Sequence, residues 1–239
     1  MHQLDDAIDC RGEYFSGCKQ HQLYWYRSED EVGRPLLLIH SVNAAPSAIE
    51  LKPLFKHFQL LRPVFAPDLP GFGRSERNVG EFAPEDFARE IAEMIASLPG
   101  DEAPDVVALS LSCEFVARAI TDFGAKVRSV TFISPTGFSA RGTPSKKAQQ
   151  RLKKILGFAG FGRNAFRLLR TERSIRYFYG MNFSGFIPNE LLTYALKTTK
   201  VPDSHLMPLQ FLSMGLFTEN AVESLYQRLD LPVLVIFDR

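Results

Sequence analysis

Ser110 stands where a serine hydroxyl can be made into a nucleophile. The window Asp105-Val-Val-Ala-Leu-Ser-Leu-Ser-Cys-Glu114 is a short, unbroken apolar run that passes directly into an amphipathic stretch, with Ser110 at the junction. Where a buried strand turns abruptly into a helix, the residue at the bend projects above the sheet, provided that the residues two before and two after it are small. Ala108 and Ser112 hold those positions, so the steric logic of G-x-S-x-G is kept without its glycines. The amide of Leu111 then falls at a helix N-terminus, where N–H groups are unpaired and the dipole favours a developing negative charge. The competing reading of Ser110 as a simple helix N-cap uses the same spacing.

Two further segments converge on the same chemistry. Leu37-Leu-Ile-His40-Ser41-Val42-Asn43 places a polar turn directly after a buried run, where the backbone N–H of Val42 can face the same oxyanion as that of Leu111. Ala66-Pro-Asp-Leu-Pro-Gly-Phe-Gly-Arg-Ser75 follows the next apolar run. Asp68 and His40 are read as organisers of their loops, a carboxylate binding loop amides and a hydrogen-bonded imidazole, and neither is assigned to catalysis.

These segments must be held by strands and helices. Short apolar runs at Pro35–His40, Pro63–Asp68, Asp105–Leu109, Val127–Ile133 and Pro232–Phe237 suit strands buried on both faces. Leu23–Arg27 alternates as one arm of an N-terminal hairpin. Helical patterns lie between them at Ala48–Phe58, Pro84–Leu98 and Glu114–Phe123; the second aligns Phe87, Ile91, Met94, Ile95 and Leu98 on one stripe. Alternating strands and helices predict a mostly parallel, doubly wound α/β sheet, with function at its carboxyl edge. Residues 139–228 break the rhythm with about four helical patterns and no buried strand.

The order of the three motifs resembles the α/β-hydrolase superfamily, in its lidded single-domain branch, over roughly Pro35 to Ile133. Asp68, Pro70, Gly71, Gly73 and Ser75 match its D-x-P-G-x-G-x-S segment residue by residue, and His40 matches its histidine, while Ser41 replaces the glycine that follows. The resemblance implies an α/β-hydrolase fold with a helical lid inserted after the sixth strand. It divides the chain into core residues 1–138, lid and connecting helices 139–228 and a final core strand 229–239. It implies a serine hydrolase acting on a carboxylic ester or related acyl bond through an acyl-enzyme on Ser110, with Val42 and Leu111 holding the oxyanion. An acyltransferase or a carbon–carbon bond hydrolase would use the same serine, and a non-catalytic binding protein could keep the same pocket.

The family order is Ser, then Asp or Glu, then His. The only histidine after Ser110 is His205, ahead of the last strand, and Asp238 stands where the family more often has glycine. Ser134–Phe138 offers no carboxylate. The expectation is a chain lacking the family's final strand and helix, and with them the acid and the histidine. Its last apolar run would then be a bare edge, open to a second chain across that strand.

Length and composition bound the rest. The chain has 239 residues, 45% of them hydrophobic, which allows one large core. A net charge of +1 argues neither for a nucleic-acid binder nor for an acidic solubiliser, and no nucleic-acid partner is expected. Cys10, Cys18 and Cys113 show neither disulfide nor zinc spacing, and no basic leader or long apolar span is visible, so a cytoplasmic protein is expected. No metal or organic cofactor is implied: Gly71–Ser75 is not a phosphate loop. The expected ligand is a small apolar or acyl-containing substrate. Phe166, Tyr177, Phe178, Tyr179, Phe183, Phe186 and Phe211 would form an apolar pocket under the lid. Between Arg141 and Arg176 eleven basic residues face the single acid Glu172, a solvated helix face that could also make weak contact with an anionic membrane surface.

Overall fold

The computed structural model describes residues 4–29, 32–138, 146–157, 161–180, 183 and 185–237. Its centre is one seven-stranded sheet: β1 (Arg11–Ser16), β2 (Gln22–Arg27), β3 (Leu36–Ile39), β4 (Val64–Asp68), β5 (Asp105–Leu109), β6 (Ser129–Ile133) and β7 (Val233–Ile236), in the order β1-β2-β4-β3-β5-β6-β7. β1 and β2 form an antiparallel hairpin, β2 is antiparallel to β4, and the remaining pairs are parallel. The predicted α/β architecture is the one observed.

The apolar runs are continuous because both faces of the sheet are covered. Leu37, Ile39, Val106 and Ala108 point to one layer, built on α2 (Pro84–Ala96) and α3 (Ser112–Phe123), where Phe87 and Phe115 stack with ring centroids 4.7 Å apart. Leu36, Leu38, Val64 and Val107 point to the other, which contains Phe55 of α1 (Lys52–Phe58) and Leu191 and Leu192 of α7 (Asn189–Thr198). Alternate residues of one strand thus feed opposite cores.

Several element boundaries differ from the sequence reading. The helix expected from Ala48 opens as a 3-10 turn over Ala48–Leu51, with no side-chain cap, before α1. α3 begins at Ser112 rather than Glu114, and β6 at Ser129 rather than Val127. Between β6 and β7 the described residues hold α4 (Lys146–Gly157), α5 (Phe161–Leu169), α6 (Glu172–Gly180), α7, α8 (Leu206–Leu212) and the single turn α9 (Ala221–Ser224), more pieces than four patterns suggested. Among the described residues no helix is long and apolar enough to cross a membrane.

Candidate active site

The parallel pairing of β3 with β5 sets Ile39 beside Ala108, and that of β5 with β6 sets Leu109 beside Ile133. The chain segments that leave these strands, His40–Val42 and Ser110–Leu111, therefore emerge side by side at the carboxyl edge of the sheet. The turn is abrupt. Ser110 has φ of 53°, in the left-handed region that an L side chain enters at a cost of roughly 1 kcal/mol. Its N–H donates to the Ile133 carbonyl at 2.9 Å and its own carbonyl accepts from Cys113 N–H at 3.1 Å, which fixes the bend from both sides. Leu111, not Ser110, is the N-cap of α3, and the Ser110 hydroxyl caps nothing. Ser110 is half-buried, and its Oγ has no hydrogen-bond partner among the described residues.

The residues two before and two after Ser110, Ala108 and Ser112, are both fully buried. Ser112 Oγ donates to the His40 carbonyl at 2.6 Å, stitching the first turn of α3 to the loop after β3. The amides of Val42 and Leu111 donate to no partner among the described residues.

His40 is fully buried, and both ring nitrogens are engaged: Nδ1 lies 2.6 Å from the Ser41 carbonyl and Nε2 accepts from Leu69 N–H at 2.9 Å. That pattern fixes the neutral tautomer with its proton on Nδ1. Burial pushes its pKa down to about 4. Asp68 is equally committed, with Oδ1 accepting from Ala48 N–H at 2.9 Å and Oδ2 from Arg74 N–H at 2.8 Å. Gly73, at φ of 51°, passes so close that an added Cβ would fall 1.9 Å from Asp68 Cγ. Arg77 donates to the Gly73 carbonyl at 2.5 Å, and Ser75 Oγ to that of Asp68 at 2.5 Å, closing the loop on itself. Burial raises the Asp68 pKa.

His205 lies apart from the elbow, beside Phe166 and among Arg163, Arg167 and Lys200 in a separate cleft; burial, and then Arg163, lower its pKa. Asp238 lies outside the described residues. Among the described residues no group of three His, Cys, Asp or Glu side chains could hold a metal ion.

One carboxylate was not read from the sequence. Glu50, in the 3-10 turn, accepts from Ser41 N–H at 2.9 Å, from Ser41 Oγ at 3.0 Å and from Asn43 Nδ2 at 3.1 Å, and burial raises its pKa. The signal available was Ser41 itself: a hydroxyl where the resembling family has glycine needs a nearby acceptor. Glu50 thereby anchors the residue just before the Val42 amide.

Beside this loop opens an apolar cavity of about 290 Å³, bounded by Ala44 and Ala45 and by Leu169, Ile175, Tyr179 and Phe211 of the helical segment. Of the aromatic residues expected to form such a pocket, Phe178, Tyr179 and Phe211 line it. Phe166 faces the cleft of His205, and Tyr177 and Phe186 are 66% and 77% exposed.

A doubly wound sheet in this strand order, with a strand–serine–helix elbow at its carboxyl edge, defines the α/β-hydrolase fold. The chain belongs to the alpha/beta hydrolase family, whose profile it matches over residues 36–235. It is similar in structure to an α/β-hydrolase-fold protein from Burkholderia ambifaria (16% identity, TM-score 0.69, 99% of this chain on 81% of that one). A probable hydrolytic enzyme from Pseudomonas aeruginosa PAO1 superposes with 15% identity and a TM-score of 0.73, over 98% of this chain and 74% of the other. An N-acyl homoserine lactonase gives 20% identity and a TM-score of 0.68, over 96% and 78%. No curated protein matches the chain in sequence at a significant level.

Proposed function

We propose that this protein is a serine-nucleophile hydrolase of carboxylic esters or related acyl bonds, with the helical segment between β6 and β7 serving as its lid. The observation that carries the reading is the left-handed Ser110 at the carboxyl edge of the sheet, whose hydroxyl has no partner among the described residues, next to the end of β3 from which the Val42 loop leaves. In this reading Ser110 Oγ attacks the acyl carbon, and the carbonyl electron pair moves to an oxygen held by the amides of Val42 and Leu111. Collapse of that intermediate expels the leaving group and leaves an ester on Ser110, which water then cleaves. The proton of Ser110 passes to solvent water, because no histidine among the described residues is placed to take it, and turnover by this chain is accordingly slow. His40 cannot serve, with both nitrogens engaged, and His205 faces another cleft. The lactonase among the structural neighbours acts on an N-acyl compound, which supports an acyl substrate here.

The test is covalent labelling with a fluorophosphonate probe. The chain should take up one label, and Ser110→Ala should take up none; label persisting in that variant would refute the assignment. The unpartnered Ser110 hydroxyl also favours a second reading, a protein that binds acyl compounds in the same pocket without turnover. An unlabelled chain that still binds acyl amides would select it.

A further inference from the structure

The cleft that holds His205 has a volume of about 330 Å³ and lies where α5 meets the turn that follows α7. Its wall is cationic. Arg163 and Arg167 stand on α5 and Arg170 just past it, and the spacing of four and then three residues puts them on one helical face. Arg170 N–H donates to the Phe166 carbonyl at 2.9 Å, so the helical turn runs on through this residue. Lys200 and His205 line the cleft from the turn. That turn is pinned, with the Thr199 carbonyl accepting from Ser204 Oγ at 2.8 Å and from Arg170 Nη1 at 3.3 Å.

Other arginines of the chain answer to carboxylates: Arg62 to Asp105, Arg118 to Glu85 and Asp122, Arg176 to Glu172. Arg163, Arg167, Arg170 and Lys200 form no ion pair among the described residues. Asp203 is the only acid among the residues lining the cleft, so four fixed positive charges face one negative charge. Burial, and then Arg163, lower the pKa of His205, which leaves it a neutral N–H donor at pH 7 rather than a fifth charge. A cleft lined by one sign of charge focuses its field and concentrates the opposite ion. A carboxylate would bring one charge and two oxygens; a phosphoryl group brings more charge and oxygens on several sides, which suits guanidinium forks and an ammonium arriving from two walls.

We propose that this cleft binds a phosphoryl group carrying two or more negative charges, a phosphate monoester or a diphosphate, at a site separate from Ser110. The site shares α5 with the apolar cavity, since Leu169 lines the cavity whereas Phe166 and Arg170 line the cleft.

The experiment is calorimetric titration of inorganic pyrophosphate, at low ionic strength, into the full chain and into two double variants that each lose two positive charges. Arg163→Gln with Arg167→Gln strips the cleft; Lys154→Gln with Arg173→Gln strips neighbouring helices at positions that do not line it. All four side chains are exposed, so both variants should melt with the wild type. The wild type should take up one pyrophosphate, the cleft variant should bind it about tenfold more weakly, and the other variant should stay within about twofold. Asp203→Asn removes the opposing charge, and asparagine accepts the left-handed backbone there, at φ of 59°; it should bind roughly two- to fivefold more tightly. No uptake of pyrophosphate, an equal loss in the two double variants, or no gain in Asp203→Asn would overturn the proposal. Vesicles of phosphatidylcholine with phosphatidate then identify the source of the phosphate: pelleting that pyrophosphate displaces assigns it to a lipid headgroup, and a chain that stays in the supernatant assigns it to a soluble ester.

Discussion

At the scale of single residues, His40 shows how a histidine can sit beside a candidate active site and be barred from its chemistry. Its proton lies on Nδ1, its Nε2 lone pair is taken by Leu69 N–H, and burial lowers its pKa from 6.5 to about 4. The unfolded chain binds a proton at this residue below pH 6.5, whereas the folded chain does so only near pH 4. Between those values the unfolded state holds more protons, so the stabilisation is full above pH 6.5 and is lost as the pH falls toward 4. The gap corresponds to about 3 kcal/mol. His40→Gln should be less stable than wild type at pH 7, and the difference in urea unfolding free energy should shrink by about that amount by pH 4.5. A difference that stays constant with pH would show that His40 titrates normally in the folded chain.

At the scale of elements, the elbow depends on a bond between two of them. Ser112, in the first turn of α3, donates to the carbonyl of His40, just past the end of β3. Both residues are buried, so Ser112→Ala leaves that carbonyl without its partner and should cost roughly 1–3 kcal/mol in chemical denaturation. The variant should also label more slowly with fluorophosphonate, because the Val42 loop is no longer tied to the elbow; unchanged stability and labelling rate would show that the contact is incidental. The element pattern was readable in the sequence because each strand is an apolar run covered on both faces, and because Asp68, Pro70, Gly71, Gly73 and Ser75 spell out one loop. Glu50 and Tyr179 were harder to read. A glutamate at the head of a short helix looks like a solvated end, and it becomes the anchor of Ser41 only once α1 folds against the loop after β3. Tyr179 was one of seven aromatics in the helical segment, and only the packing separates it, which buries it in the cavity, from Tyr177, two residues away and exposed.

At the scale of the whole molecule, the two edges of the sheet are guarded unequally. β1 carries Arg11 and Glu13, with Glu13 3.5 Å from Arg27 of the neighbouring strand, so charge lies along that edge. β7 carries Val233, Leu234, Val235 and Ile236, which are 42–57% exposed, with Phe237 beyond them at 68%. It pairs with β6 on one side, and among the described residues no strand pairs with its other side. Four apolar residues on an open edge, without a lysine or proline among them, make a template for another strand. The 239-residue polypeptide is therefore expected to self-associate with rising concentration, and sedimentation equilibrium should give a mass above the 26.9 kDa of one chain. Adjacent strand residues point to opposite faces, so Leu234→Lys with Val235→Lys places a charge on each side of the edge. Leu234 and Val235 are 57% and 42% exposed, so a long, flexible lysine at either position can reach water while like charges oppose pairing. The double variant should sediment as a monomer and unfold within about 1 kcal/mol of wild type. A wild-type chain that stays monomeric at high concentration, or association that survives the two lysines, would show that this edge is not adhesive.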